Sequence, residues 1–425
     1  MSIAPALTRR LGTFDAVVIG LGSMIGAGVF AAFTPAAQAA GSGLLIGLAI
    51  AACVAYANAT SSAQLAAAYP TSGGTYIYGR ERLGPWPGFL AGWGFVVGKV
   101  ASSAAMAMTF AAYAAPAGWE RPVAIAAVAL LVAVNYRGVS RTAALARIIV
   151  GAVLAALTIA IAAVWAGSGG HPGGSSNSSF LGSGLFSHGW YGILQSAGLL
   201  FFAFAGYARI ATLGEEVKNP RRTIPRAILL ALAIAGAIYA VVGVSLLVAL
   251  GPDGVASTAA PLTTAVTAGG WSWAGPVVKV GAALASLGAL LALVAGLGRT
   301  SLAMAREGDF PHYFAAIHPK FAVPHRAELA LGAAIIVIIM FADLRGAIGF
   351  SSFGVLVYYL VANISAFTQS GADRRYPKVL QLLGAAACVL LVATLPLEAV
   401  LAGLVMFAVG ILYRTVRLRR RASRS

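Results

Sequence analysis

Charged residues are scarce in this chain of 425 residues: they make up 10% of the sequence, and only 12 of them are acidic. Soluble domains carry roughly 25% charged residues. The mean hydropathy is +0.86, and apolar stretches recur along the whole length, so nothing of soluble-domain composition is left for a separate globular domain. The composition predicts a multi-pass membrane protein.

Cysteine and histidine are also rare, with two and five residues. Cys53 and Cys388 both fall in apolar segments, where we expect packed small hydrophobes rather than a disulfide. No spacing among the cysteines and histidines is typical of a metal site, so we expect neither a metal nor another cofactor. The polar N-terminus runs directly into the first apolar segment without a small-residue cleavage motif, which indicates no removable signal peptide.

The apolar pattern predicts an all-α integral membrane protein with about twelve transmembrane helices. Because the pattern is read from one sequence, each boundary is an approximate expectation. The predicted spans are 13–34, 43–66, 87–114, 121–136, 143–166, 189–212, 227–250, 271–298, 327–342, 346–368, 378–395 and 397–413.

The basic residues lie almost entirely on one side of these spans. Two of the 29 Lys and Arg residues lie on the other side and three lie inside spans, namely Arg121, Arg345, Lys99, Arg209 and Lys279. This positive-inside pattern predicts a cell-membrane protein with both termini in the cytoplasm. The net charge of +17 therefore belongs to cytoplasmic segments, and we expect the basic tail to touch anionic lipid rather than nucleic acid.

The first span carries four glycines near its centre, in Gly20–Phe30 (GLGSMIGAGVF). An interior glycine costs a helix about 1 kcal/mol relative to alanine, and broken backbone inside a bilayer is tolerated only where protein buries it or where it lines a polar cavity. The run predicts an intentional break of the kind at which transporters bind small polar substrates. The alternative is that the glycines serve only close helix packing.

A second interruption, Phe201–Tyr207 (FFAFAGY), lies in the middle of the sixth span. Five spans separate the starts of the two broken spans, and because five is odd the second half must enter from the opposite side. This predicts an inverted repeat with a site at the bilayer midplane, between the breaks. We expect one transporter domain over 1–425, composed of a cytoplasmic tail 1–12, repeats 13–166 and 189–368, two extra helices within 378–413, and a basic cytoplasmic tail 414–425.

Four stretches of the sequence resemble motifs of one known family, the amino acid–polyamine–organocation (APC) family of permeases. They occur in the family's order, from residue 20 to residue 311. They are Gly22–Phe30 (GSMIGAGVF), Tyr69–Tyr78 (YPTSGGTYIY) with Leu83–Pro85, Phe202–Gly206 followed by Glu215–Pro220, and Arg299–Pro311 (RTSLAMAREGDFP).

The resemblance implies a twelve-helix, LeuT-like permease that carries an amino acid or related amine by alternating access, often with proton coupling or exchange. It implies that the substrate carboxylate binds N–H groups of the first break, that the ammonium meets carbonyls of both breaks, and that an aromatic residue of the sixth helix closes over the substrate. The implied substrate-binding residues are Met24, Ile25, Gly26, Ala27, Gly28, Phe202, Ala203, Phe204, Ala205 and Gly206.

Elementary electrostatics supports the same assignment. A break in a helix frees N–H groups at the start of one half, which favours an anion, and carbonyl groups at the end of the other half, which favour a cation. One break thus offers both poles that a zwitterion needs. Glycine also allows this backbone to approach a ligand closely.

Lys99 lies twelve residues past Pro87, roughly 18 Å along the third span and too deep to snorkel. An intramembrane charge is by default a functional candidate. Some relatives carry a fifth-helix lysine in place of a sodium ion, near Val153 here, but the core of span five has none. We hypothesise that Lys99 supplies this cation, for proton coupling or for a substrate side-chain carboxylate, with Ser103 also facing the substrate. The alternative is a lysine satisfied by nearby carbonyls and by Ser102 or Ser103.

The other charged side chains of the spans lie near span ends. We expect Arg209 to snorkel or to pair with Glu215 or Glu216, and Lys279 to snorkel. Asp15 suits a helix start on dipole grounds alone. It is equally compatible with an inner gate in which it pairs with a basic loop residue.

Competing function classes have less support. The glycines lack dinucleotide-binding spacing and Gly98-Lys99 lacks the rest of a phosphate-binding loop, so we expect no enzyme. A channel would need a continuous polar pore lining, and a sensor is a weaker alternative. We predict a secondary active transporter, proton-coupled, with amino acid/amine exchange as the alternative. Lys99 and Arg209 near the core favour neutral substrates, are compatible with acidic ones, and disfavour basic ones.

Overall fold

The computed structural model describes residues 10–70, 73–138, 143–167 and 183–423. The first nine residues of the predicted N-terminal tail and the last two of the C-terminal tail therefore lie outside the described residues. Apart from one parallel bridge between Leu11 and Val217, all regular structure in the described part is helical.

Seventeen α-helices, with short 3₁₀ turns between some of them, make up the described part of the chain. In chain order they are α1 Thr13–Met24, α2 Gly28–Ala31, α3 Phe33–Ala40, α4 Leu44–Ala68, α5 Gly74–Leu83, α6 Pro85–Ala114, α7 Glu120–Tyr136, α8 Ala143–Gly167, α9 Gly189–Phe204, α10 Ala208–Ala211, α11 Pro220–Ser257, α12 Pro261–Ala268, α13 Gly275–Arg306, α14 His325–Phe341, α15 Leu344–Phe367, α16 Lys378–Thr394 and α17 Leu397–Ala422.

Helix lies on each of the twelve predicted spans, and nine helical segments of the described chain are long and apolar enough to cross a membrane. The other three helices, α7, α14 and α16, each have 17 residues. Several helices extend past the predicted spans, since α11 ends at Ser257 instead of 250, α13 at Arg306 instead of 298 and α17 at Ala422 instead of 413. The seventh span was expected from residue 227, but α11 begins at Pro220, because proline is well suited to the first helical position and needs no N–H partner there.

The long helices pack so that α6 lies at the centre, against α13 and α15. The contacts come in pairs that correspond when the two predicted halves are exchanged. Helix α1 packs on α11 as α9 packs on α4, and α6 packs on α15 as α13 packs on α8. Helices α16 and α17 lie outside this pairing and pack on α15.

Segments that were predicted to be cytoplasmic meet at one end of the helices. The Arg10 N–H donates to the Glu216 carbonyl, Arg82 donates to Thr368 at the end of α15, and the Arg375 side chain donates 2.8 Å to the Arg221 carbonyl. The ends of the helices therefore place the basic loops together, as the charge pattern predicts.

The two cysteines are both free, in agreement with the prediction of no disulfide. Cys388 is buried in α16, but the expectation of a packed side chain is wrong for Cys53, which is exposed on α4. An apolar stretch does not distinguish a helix face that meets protein from one that meets lipid, because both faces are apolar in a membrane protein.

Candidate functional site

The first broken span consists of α1, three non-helical residues (Ile25, Gly26 and Ala27), and α2; we call these three residues the first break. Several backbone groups at this break have no hydrogen-bond partner within the described chain. The N–H groups of Gly26, Ala27 and Gly28 donate no hydrogen bond, and the carbonyl groups of Met24 and Ile25 accept none. The same five residues are buried. Unpaired backbone of this kind is costly inside a protein unless a ligand or water completes it.

The second break is narrower than the sequence suggests. Residues 201–204 continue α9, and only Ala205–Tyr207 depart from α-helix, as a 3₁₀ turn before α10. A 3₁₀ segment in the middle of a helix often marks a functional hinge. Phe202, Ala203 and Phe204 are thus helical, although all three are buried beside the turn.

Glycines bring the two breaks into direct contact. A β-carbon placed on Gly28 would lie 2.7 Å from the Cα and Cβ atoms of Ala203, and one placed on Gly206 would lie 2.6 Å from the Met24 backbone nitrogen. Any side chain at either position would force the broken spans apart. The pattern of glycines therefore fixes the spacing between the two breaks.

Side chains from three other helices bind carbonyl groups of the second break and of the last turn of α9 just before it. Tyr239 of α11 donates 3.0 Å to the Ala203 carbonyl. Tyr359 of α15 donates 3.3 Å to the Ala205 carbonyl. The Lys99 ammonium of α6 donates to the same Ala205 oxygen at 3.5 Å. Neither tyrosine was predicted from the sequence, because a tyrosine in an apolar span gives no sign of where its hydroxyl points.

Lys99 is buried and makes no ion pair within the described residues. The serines proposed as alternative partners do not serve it. Ser103 donates 2.9 Å to the Lys99 carbonyl, one turn back, and Ser102 bonds to Gly98 and to Ser351. The cation of Lys99 therefore contacts the second break rather than its own helix.

The two candidate aromatic residues have different surroundings. Phe204 packs edge-to-face on Tyr239, with ring centroids 5.1 Å apart, and is fully buried. Phe202 is 7% exposed. The contact with Tyr239 holds Phe204 against α11, whereas no ring contact is found for Phe202 within the described residues.

Charged residues near the span ends have ordinary partners. Asp15 pairs with Arg147 of α8, with 3.1 Å between the Arg147 Nε and the carboxylate, and accepts the Gly12 N–H at 3.2 Å. Asp15 thus lies in the first turn of α1 and has a basic partner, which belongs to α8 rather than to a loop as expected. Arg209 is half-buried and donates 3.1 Å to Thr212, while Lys279 is exposed.

A buried carboxylate, Asp309, joins three elements at the basic end. It accepts from Tyr76 at 2.9 Å and from Arg80 at 2.8 Å, both on α5, and it pairs with Arg414 of α17. Burial and the Asp309 charge raise the pKa of the Tyr76 hydroxyl above its ordinary value. The Arg414 guanidinium also stacks on Trp86, 4.9 Å from the ring centroid.

The whole arrangement can now be compared with known proteins. The family model described as "Amino acid permease" matches residues 11–415. The chain belongs to the amino acid permease family, within the APC group. This permease is accordingly a transporter and not an enzyme, as the sequence indicated.

Relatives of the permease support the assignment at several levels of identity. An "Uncharacterized transporter" of Mycobacterium tuberculosis is 57% identical over 415 residues, which cover 98% of this chain and 92% of that protein. "Cationic amino acid transporter 6, chloroplastic" of Arabidopsis thaliana is 30% identical over 88% of this chain and 67% of its own length. "Branched-chain amino acid permease BcaP" of Bacillus subtilis is 26% identical over 77% of this chain and 73% of its own length.

Proposed function

We propose that this permease carries a neutral amino acid across the cell membrane by alternating access, and that the substrate binds between the two breaks. The observation that carries the proposal is the first break, where buried N–H groups and buried carbonyls both lack partners within the described chain. A zwitterion supplies an acceptor for the first set and a donor for the second. Few other small molecules supply both within the length of one residue.

The roles of individual residues follow from this polarity. The substrate carboxylate accepts from the N–H groups of Gly26, Ala27 and Gly28, and the ammonium donates to the carbonyls of Met24 and Ile25. The second break contributes the face opposite, through Ala203, Ala205 and Gly206, and Phe202 or Phe204 covers the side chain. Glycine at positions 26, 28 and 206 keeps this backbone accessible.

The preference for a neutral substrate rests on charge. No acidic residue of the described chain lies in the first break, in the second break, or in the segment of α6 around Lys99. A basic substrate side chain would meet the Lys99 ammonium without a carboxylate to balance it. An acidic side chain is compatible with the same cation. The more distant relatives are named for cationic and for branched-chain amino acids, so they do not decide the substrate.

We propose that the permease has twelve spans, both termini in the cytoplasm, and an inverted repeat of five spans, and that it transports by alternating access. The exchange-related helix contacts and the meeting of the basic loops at one end support this arrangement. Within the cycle, Lys99 is the coupling group. Its ammonium donates to the Ala205 carbonyl, so loss of its proton would weaken a contact of the second break and link the protonation state of Lys99 to the geometry of the substrate site.

Uptake into proteoliposomes tests the proposal. The purified permease is reconstituted and screened for counterflow of the twenty amino acids, with and without a pH gradient. We expect saturable, stereoselective uptake of one or more neutral amino acids that responds to the gradient. Ohmic current without saturation would indicate a channel, and gradient-independent uptake that requires an internal amino acid or amine would indicate an exchanger.

A further inference from the structure

A second group of buried polar side chains lies away from the two breaks, at the junction of α4, α15 and α16. We call it the polar seam. Its members are Asn58, Ser61 and Gln64 of α4, Tyr359 and Asn363 of α15, and Gln381 and Cys388 of α16. All seven are at most 1% exposed. Polar residues inside a membrane bundle are costly and usually functional.

One end of the seam reaches the basic face of the molecule. Gln64 accepts from the backbone N–H groups of Arg375 (2.9 Å) and Tyr376 (3.1 Å), and it donates 2.8 Å to Gln369. Arg375 is exposed. The seam therefore begins one residue from solvent, at the end that carries the predicted cytoplasmic loops.

The middle of the seam is a chain of short contacts between helices. Ser61 donates 2.6 Å to Asn363, Asn363 donates 2.6 Å to Asn58, and the Cys388 thiol donates 3.5 Å to the same Asn58 oxygen. A β-carbon on Gly384 would lie 2.7 Å from the Asn363 side-chain oxygen. The glycine makes room for that amide between α15 and α16.

The other end of the seam reaches Lys99. Asn363 donates 3.0 Å to the Tyr359 carbonyl, one turn before it, and the Tyr359 hydroxyl bonds to the Ala205 carbonyl that also accepts from Lys99. The contacts between the exposed Arg375 backbone and the buried ammonium are thus interrupted at two places, between Gln64 and Ser61 and between the Tyr359 carbonyl and the Tyr359 hydroxyl.

Several polar groups along the seam are short of partners. The Asn58 amide nitrogen, the Gln369 amide nitrogen, and both amide atoms of Gln381 are buried without a hydrogen bond inside the described chain. Gln381 lies one turn before Gly384 and two turns before Cys388 on the same face of α16. Buried polar groups are almost always paired, and where protein does not pair them an ordered water does.

We propose that ordered waters fill the polar seam and connect Lys99 to the cytoplasmic side as a proton path. This inference rests on the proposed function of the permease. In the step concerned, the Lys99 ammonium gives one proton to the seam and becomes a neutral amine, and one proton leaves the seam at the cytoplasmic end. The step is a proton transfer through water, in which no seam residue retains the proton and nothing is oxidised or reduced.

The groups around Lys99 are consistent with this direction of transfer. The titratable side chains near Tyr359 are Tyr358 of α15, Tyr207 of the second break and Cys388 of α16. Helix α13, which also packs on α6, has ionisable residues only toward its two ends, Lys279, Arg299 and Arg306. Helix α14 packs on α6 as well and carries the buried Glu328 in its first turn, but no described carboxylate pairs with Lys99.

A variant of Gln381 tests the path in the intact permease. Gln381→Leu keeps the side-chain volume but removes both water-binding atoms, and it breaks no described protein hydrogen bond. We expect pH-gradient-driven uptake and substrate-induced proton movement to fall to the level without a gradient, while counterflow at equal pH stays unchanged. The matched control is Gln195→Leu, a buried glutamine of α9 that bonds to Thr394 and Arg345 outside the seam, and it should keep its proton coupling.

A second measurement does not depend on transport. A density map of the permease at a resolution that shows water should contain ordered waters at the Asn58 and Gln381 amides, and these should be lost next to residue 381 in the leucine variant. A dry seam overturns the proton path, and so does unchanged coupling in Gln381→Leu. Counterflow with no proton movement in the wild type overturns the path alone, whereas absence of any amino acid counterflow overturns the proposed function together with it.

Discussion

The two breaks differ in how their backbone groups are satisfied. The first break leaves N–H and carbonyl groups bare within the described chain, although the residues are buried. In the second break, Tyr359 and Lys99 bind the Ala205 carbonyl, and Tyr239 binds the Ala203 carbonyl just before it. We infer from this difference, under the proposed function, that the first break binds the ligand and that the second break couples protonation of Lys99 to the positions of α11 and α15.

The largest expected effect is on the contact between the breaks. In Gly28→Ala the new methyl group would lie 2.7 Å from Ala203, so the broken spans must separate, and a misplacement of about 1 Å at a reaction site can cost about 100-fold in rate. We expect transport to fall by about that factor. The measurement is counterflow in proteoliposomes, and the control is Gly296→Ala on α13, where the new methyl group meets nothing within 4 Å. Normal counterflow by Gly28→Ala would contradict the proposed site.

The next effect concerns Lys99 of α6, whose ammonium contacts the second break. Lys99→Met keeps the length of the side chain but cannot lose a proton. We expect counterflow to persist, its pH dependence to flatten, and gradient-driven accumulation to disappear, because the second break no longer has a group that titrates beside Ala205. Initial uptake rates between pH 5 and 9 check this expectation. Lys279→Met, at an exposed lysine of α13, should behave as the wild type, and an unaltered pH profile in Lys99→Met would remove Lys99 from the mechanism.

A smaller effect on stability should distinguish Tyr239 from Tyr359, whose hydroxyls bind carbonyl groups at and just before the second break. Ala203 has one side-chain donor and Ala205 has two, so Tyr239→Phe leaves a carbonyl with less compensation than Tyr359→Phe does. A buried polar group left without its partner costs about 1–3 kcal/mol. We therefore expect Tyr239→Phe to lower the unfolding temperature more than Tyr359→Phe does, and Tyr56→Phe, at an exposed tyrosine, to leave it unchanged. Thermal unfolding in detergent gives the order, and the reverse order would mean that Lys99 does not support Ala205.

The smallest effect concerns the cytoplasmic end of the first broken span. Asp15→Asn keeps an acceptor for the Gly12 N–H but removes the ion pair with Arg147, whose side chain is 51% exposed. Exposed pairs contribute about 0.2–1 kcal/mol, so substrate affinity should change by less than about fivefold. Binding titrations of Asp15→Asn, Arg147→Gln and the double variant check this. If the double variant loses the sum of both single effects, the pair does not act as a unit.

Some of this arrangement could be predicted from sequence because its causes are local. Four glycines in eleven residues of an apolar segment leave a helix few choices, and the first break lies where they predict it. The second break was expected over residues 201–207, but Phe201–Phe204 remain helical because this stretch has a single glycine, Gly206, and apolar residues that suit a helix. The local composition determines where a helix can be interrupted, and packing against other helices determines how many residues leave the helix.

The partners of the breaks could not be predicted, because they come from distant parts of the chain. Nothing near Lys99 in sequence indicates Ala205, which lies 106 residues later. The polar seam is a similar case. Asn58 and Asn363 are each the single asparagine of their helix, and only the packing of α4 on α15 makes them a pair. A sign was available in retrospect, since a lone asparagine in a membrane helix seldom lacks a partner.

Asp309 has a consequence for the biosynthesis of the permease. The carboxylate and its α5 partners, Tyr76 and Arg80, are synthesised before Arg414, which follows Asp309 by 105 residues. Until α17 is in place, Asp309 lacks one of its two cationic partners, and the ring faces of Trp86 and Phe89 that Arg414 covers stay open. The last helix to be made therefore completes a contact for which the earlier part of the chain already holds every other partner.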